Sequence, residues 1–146
     1  MQAVAVFNTR SVKGIVLFKE RKTGVYIEAT FGDLPLGYHG FHIHKAGDLR
    51  GEGCKLACDH YHKGEPCDHG GPPGHSGQRH TGDLGNVRAH EKYTYTLKGV
   101  TIADILGRSV IIHAHPDDYG LGGYDDSLIT GHAGARIACA VIGRVA

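Results

Sequence analysis

Short runs of alternating apolar and polar residues dominate this chain. Ala3–Thr9 alternates around Val4 and Val6, and Gly14–Glu20 holds Ile15-Val16-Leu17-Phe18. Gly24–Phe31 sets Val25, Ile27, Ala29 and Phe31 against Tyr26, Glu28 and Thr30. A period of two puts alternate side chains on opposite faces of a strand, so the alternating runs predict strands, with one face of Gly24–Phe31 buried, and the short apolar run at 15–18 is of strand length. Asp33-Leu34-Pro35-Leu36-Gly37 breaks the pattern, and Tyr38–Lys45 resumes it. Further strands are predicted at Val87–His90, Lys92–Lys98, Ser109–His113 and Ile137–Val145. No stretch carries an amphipathic helical period. The reading is all-β: an eight-stranded Greek-key barrel or sandwich with two long functional loops, forming one domain over residues 1–146.

Both loops are abnormal. Residues 46–86 and 116–135 are rich in Gly and Asp, the first also in His, Pro and Cys. A structureless segment as long as the first is rare inside a compact domain and is usually functional. Metal binding is one way to order it.

Histidine changes the picture most. The chain has 12, crowded toward its middle. In Gly40-Phe41-His42-Ile43-His44 the two imidazoles share one face, while Phe41 and Ile43 anchor the other. His113 ends a second strand. An all-imidazole set on rigid strands suits copper or zinc rather than calcium or magnesium. In the first loop His60, His69, His80 and Asp83 supply three imidazoles and a carboxylate, a tetrahedral zinc shell. Composition removes other classes. A net charge of +1 disfavours a nucleic-acid or membrane-surface partner, and no apolar run approaches the roughly 20 residues of a spanning helix. The first six residues lack a basic, then apolar, leader, which points to the cytoplasm. Gly, 23 of 146 residues, stands at about twice its usual share of roughly 7% and suits tight turns. Cys54, Cys58, Cys67 and Cys139 contain no Cys-x-x-Cys; in the cytosol they default to free thiols or metal ligands.

Taken in order, Gly-Phe-His-Ile-His-Lys-Ala-Gly-Asp (40–48), Gly-Cys (53–54), His60, His-Gly-Gly-Pro (69–72), Arg-His-Thr-Gly-Asp-Leu-Gly-Asn-Val (79–87), Gly-Arg-Ser-Val-Ile-Ile-His (107–113) and Gly-His-Ala-Gly-Ala-Arg-Ile-Ala-Cys (131–139) resemble the copper/zinc superoxide dismutase family. The resemblance implies one copper, held by His42, His44, His60 and His113, and one zinc, held by His60, His69, His80 and Asp83. His60 would bridge them and carry a proton. Arg136 would bind the superoxide anion. Asp117 would tie His42 to His69, and Cys54 and Cys139 would form a disulfide. The implied reaction disproportionates superoxide to oxygen and hydrogen peroxide by cycling copper between Cu(II) and Cu(I). The alternative is a copper- and zinc-holding buffer or carrier without turnover. A homodimer is implied, with Val4, Val6, Leu106 and Ile142 near its interface and Arg144 opposing it. A copper chaperone is a further expected partner.

Several positions depart from the family pattern. The zinc loop carries extra residues, so His62 and His75 could compete for zinc. Cys58 and Cys67 flank this insertion and read as free thiols, a second disulfide or adventitious ligands. His115 and Ile129 stand where relatives place lysines, which leaves anion steering more to Arg136. His39 is expected to support the copper-site backbone. His90 and His132 read as solvated, and Tyr93 and Tyr95 as strand-face residues.

Overall fold

The computed structural model describes residues 1–146. Nine strands form two antiparallel sheets. They are β1 (Gln2–Asn8), β2 (Lys13–Arg21), β3 (Gly24–Asp33), β4 (His39–His44), β5 (Asp83–Val87), β6 (Lys92–Lys98), β7 (Ser109–His113), β8 (Arg136–Val141) and β9 (Gly143–Arg144). One sheet runs β6-β3-β2-β1-β9 and the other β5-β4-β7-β8. The chain changes sheets between β3 and β4, β5 and β6, β6 and β7, and β8 and β9. No helix is long and apolar enough to cross a membrane.

Cross-strand volumes decide which face of the first sheet turns inward. Ala3 lies opposite Phe18, Ala5 opposite Val16, and Phe7 opposite Gly14. Gly14 in turn faces Phe31 of β3. The rings of Phe7 and Phe31 meet over it at 5.6 Å, and a Cβ on Gly14 would stand 2.4 Å from Phe31. The inward face of β1 is therefore Ala3, Ala5 and Phe7, while Val6 lies 55% exposed. The larger valines of β1 are not its core residues. Phe31 and Phe41 join the sheets edge to face at 5.7 Å, a favoured aromatic geometry. Phe41 and Ile43 are fully buried in this core, and His42 and His44 on the opposite face of β4 are buried as well.

Two predicted strands differ from the sequence reading by more than a residue or two. β5 begins at Asp83, inside the predicted loop, and ends at Val87, where the predicted strand starts. Its pairing with β4 is interrupted between Gly40 and His42, and Gly82, Gly85 and Asn86 mask the strand period. Ile142, expected near a dimer face, is fully buried and splits the last predicted strand into β8 and β9. Its backbone N–H bonds Arg108 and its carbonyl accepts from Gly107. Two one-turn helices were also missed: α1 (Ile102–Ile105) and α2 (Ser127–Thr130). The first has a reciprocal capping box, with Thr101 Oγ1 accepting from Asp104 N–H and the Asp104 carboxylate from Thr101 N–H. One turn is too short to leave a period.

Candidate metal centre

The four imidazoles of His42, His44, His60 and His113 converge over the face of the second sheet turned away from the core. β4 and β7 are neighbours, and an isolated bridge pairs His60 with His44, which places the first residue of the zinc-loop set against the strands. One ligand atom from each of the four lies within 4.8 Å of the others, and all four residues are buried. Tautomer logic shows which nitrogens face inward. His44 Nδ1 donates to Cys58 O at 2.8 Å, His113 Nδ1 to Gly134 O at 3.1 Å, and His42 Nε2 to Asp117 at 2.5 Å. The remaining nitrogens, His42 Nδ1, His44 Nε2, His60 Nε2 and His113 Nε2, are buried without a hydrogen-bond partner. Burying so many orphaned acceptors together is costly. A cation shared among them removes that cost.

A second set shares His60. Its Nδ1 stands 2.9 Å from Asp83 Oδ1 and 3.2 Å from His69 Nδ1, and His69 Nδ1 stands 3.0 Å from the same oxygen. His80 Nδ1 is buried without a hydrogen bond, 3.4 Å from Asp83 Oδ2, while its Nε2 donates to Cys67 O at 2.9 Å. Bonds of about 2.0 Å in a tetrahedron put ligands about 3.3 Å apart, so these spacings fit one zinc-sized ion. The other carboxylate oxygen of Asp83 is already taken, accepting from His80 N–H at 2.7 Å and Gly70 N–H at 3.0 Å. Arg79 fastens the loop through the carbonyls of Gly71, Thr81 and Asp83.

Asp117 joins the two sets. Besides His42, its carboxylate accepts from His69 Nε2 at 2.8 Å. Asn86 braces the Asp117 backbone from both sides: its Nδ2 donates to Asp117 O, and its Oδ1 accepts from Asp117 N–H. Asn86 stood within the matched sequence, but its type alone carries no sign of this role. Gly131 passes so close that a Cβ there would lie 2.2 Å from Asp117 Oδ1, at φ 77°. Only glycine fits both the space and the angle.

Electrostatics follow burial. His42 and His44 are pushed well below the usual imidazole range by desolvation and then by neighbouring imidazoles. His60 is lowered by burial too, and His113 falls to about 4. Burial opposes charge on His69 as well, but its bonds to Asp117 and Asp83 prevail and raise it to about 9. Burial works against ionised Asp83, yet three histidine contacts hold its pKa far below the ordinary range. Burial raises the Cys67 thiol, which stays protonated at neutral pH.

Arg136 opens β8 beside this centre. Nη1 donates to Cys54 O at 2.9 Å and Nη2 to Cys58 O at 2.6 Å. Cys54 is joined to Cys139 across 85 residues, a loop whose closure contributes roughly 4–5 kcal/mol in the chain-entropy account. The bridge thus holds the carbonyls that hold the guanidinium. Cys58 O also receives His44 Nδ1–H, so one carbonyl serves both the arginine and an imidazole.

The other predicted residues fall outside the two sets. Cys58 and Cys67 are free thiols. His75 is exposed and stacks edge-on against Tyr119, and His62 Nδ1 accepts from Thr81 N–H. His39 places its ring nitrogens on the carbonyls of His113 and Pro35. His132 is half-exposed, bonded to Asp126 and stacked on Tyr124. Tyr95 is buried in the core and Tyr93 bonds Glu91.

Fold and site together define a class: an antiparallel β protein with two adjoining residue clusters that share a histidine and could each hold a metal ion, beside an arginine. A sequence profile of the copper/zinc superoxide dismutases matches residues 12–142. The chain is 44% identical over 98% of its length to a Cu-Zn superoxide dismutase of Paramecium bursaria Chlorella virus 1, covering 78% of that protein. It is 44% identical to an extracellular Cu-Zn superoxide dismutase of Drosophila melanogaster, over 90% of this chain and 76% of that one. It is 40% identical to the copper chaperone for superoxide dismutase of Mus musculus, over 93% of this chain and 50% of that one. Among solved structures, the clock protein EA4 superposes with a TM-score of 0.85 at 36% identity, covering 99% of this chain and 94% of that one. The chain belongs to the copper/zinc superoxide dismutase family.

Proposed function

We propose that this chain is a superoxide dismutase. His42, His44, His60 and His113 hold copper, and His60, His69, His80 and Asp83 hold zinc. The observation that carries the reading is the set of buried, unpartnered ring nitrogens aimed at two adjoining points, with His60 contributing to both. Copper bound there supplies one-electron chemistry that oxidises one superoxide to oxygen and reduces a second to peroxide.

The chain's own residues do the rest. Arg136 is permanently cationic and planar, and two of its donors are pinned to carbonyls, so its orientation is set before an anion arrives. His60 holds and releases a proton at Nε2, while its Nδ1 lies against Asp83 and His69 so that the ring does not turn. Asp117 fixes the tautomers of His42 and His69 at once.

A carrier that holds both metals without turnover draws on the similarity to the mouse chaperone. It leaves Arg136 without a task. Metal analysis with a superoxide-decay assay separates the two: copper and zinc bound with fast decay supports the enzyme, and both bound with no acceleration supports the carrier.

We also propose a homodimer through the outer face of β1 and β2. Val6 there lies opposite Ile15, both exposed, and Val141 and Val145 are exposed nearby in sequence to β9. Arg144 on β9 is tolerated at a polar rim. Sedimentation at micromolar concentration is expected to give twice the chain mass; a clean monomer removes the dimer.

A further inference from the structure

A cleft of about 390 Å³ runs between the two long loops. Leu128 and Ile129 line it from the second loop, Cys67 and His62 from the first, and it reaches His60 and His80. The centre described above gives Cys67 and His62 no role as ligands. Yet the two face each other: Cys67 Sγ lies 3.5 Å from His62 Nε2. The thiol also lies 3.3 Å from Arg79 O. No third His, Cys, Asp or Glu completes a set with this pair. Two donors do not satisfy zinc, which takes four. A thiolate and an imidazole suit a soft monovalent ion that accepts two ligands, and Cu(I) is the ion of that kind that thiolates select.

We infer that Cys67 and His62 form a docking site for Cu(I) on the cleft wall, one step from His60. The inference rests on the copper reading only for the ion's destination. Binding changes no oxidation state: Cu(I) takes the place of the thiol proton, which leaves to solvent, and a copper–sulfur bond forms. His62 adjusts by moving its ring proton. Nδ1 accepts from Thr81 N–H at 3.1 Å, which puts the proton on Nε2. Thr81 Oγ1 lies 3.3 Å from the same Nδ1 and accepts that proton once Nε2 turns to the metal, while Thr81 N–H gives up its bond to the ring. Thr81 thus offers each tautomer a partner.

The test titrates Cu(I), anaerobically and against a chelator, into zinc-loaded, copper-free protein with the Cys54–Cys139 bridge intact. Wild-type protein and Cys58→Ser are expected to take two Cu(I) per chain and to show thiolate-to-copper absorption. Cys67→Ser is expected to take one and lose the absorption, and His62→Ala to hold the second ion at least tenfold more weakly. Arrival of copper at the histidine set, followed by the Cu(II) spin signal after reoxidation, slows in Cys67→Ser. Zinc content checks that each variant folds; should Cys67→Ser lose zinc, His62→Ala decides. Two Cu(I) with unchanged absorption in Cys67→Ser, or loss of the absorption in Cys58→Ser, overturns the inference. Superoxide turnover enters none of these readouts, so failure of the dismutase reading is seen separately.

Discussion

Cys58 sits at φ 65°, ψ −150°, a region that side chains other than glycine occupy at a cost of about 1–3 kcal/mol. Its carbonyl explains the constraint, since it must meet both His44 Nδ1 and Arg136 Nη2. Its exposed thiol contacts only the carbonyl of Leu56. Cys58→Gly is therefore expected to raise unfolding stability by about 1 kcal/mol, while Cys58→Ala, which keeps a Cβ, gains nothing. A denaturant titration checks this, and a glycine variant less stable than the alanine one would contradict it. The sequence offered no sign of this strain. A cysteine letter does not reveal its backbone angle, and the carbonyls of Cys58, Gly134 and Cys67 that orient His44, His113 and His80 are invisible to motif reading. The imidazoles themselves were legible because their spacing is chemistry: His42 and His44 at period two, and three histidines with Asp83 in a loop that needed ordering.

At the scale of elements, β4 and β7 bury neutral imidazoles, and this carries a pH signature in metal-free protein. His113 titrates near 4 in the fold, against about 6.5 in an unfolded chain. Between those values the unfolded chain binds more protons, so stability rises with pH across that window. His42, His44 and His60 act in the same direction. His69 acts oppositely: raised to about 9, it favours the fold below about 6.5, and that contribution fades as pH climbs to 9. The melting temperature of metal-free protein should climb from pH 4 to about 6.5, with His113 alone worth on the order of 3 kcal/mol across the window, then decline toward pH 9. A flat profile would contradict the buried, neutral state of the imidazoles. Strand signals survived wherever one face was buried by alternation, as in β3 and β6. They misled at β1, where Ala3 and Ala5 face in because Phe18 and Val16 fill the space opposite. They failed at β5, where glycines and an interrupted pairing erase the period.

At the scale of the molecule, a net charge of +1 leaves little bulk attraction for an anion. His115, just before the second loop, and Ile129 within it are both exposed, and Ile129 carries no charge. In the proposed dismutase reading, steering then rests mainly on Arg136, a single charge that is half-buried and so less screened than a surface field. The rate of superoxide decay is expected to fall only about two- to threefold between 10 and 150 mM salt, a rough figure for a site without a charged funnel. A tenfold or steeper fall would show a field not accounted for by Arg136. The two-sheet architecture was readable from periodicity, and the disulfide only through resemblance, because no spacing rule pairs Cys54 with Cys139 among four cysteines.

The most direct test compares superoxide decay by wild-type protein, His113→Ala and Arg136→Ala, with copper measured in each. Wild-type protein should hold both metals and accelerate decay strongly. His113→Ala should abolish turnover, and Arg136→Ala should keep its copper while losing about tenfold or more in rate. Full activity in both variants, or no acceleration by copper-loaded wild-type protein, would contradict the account.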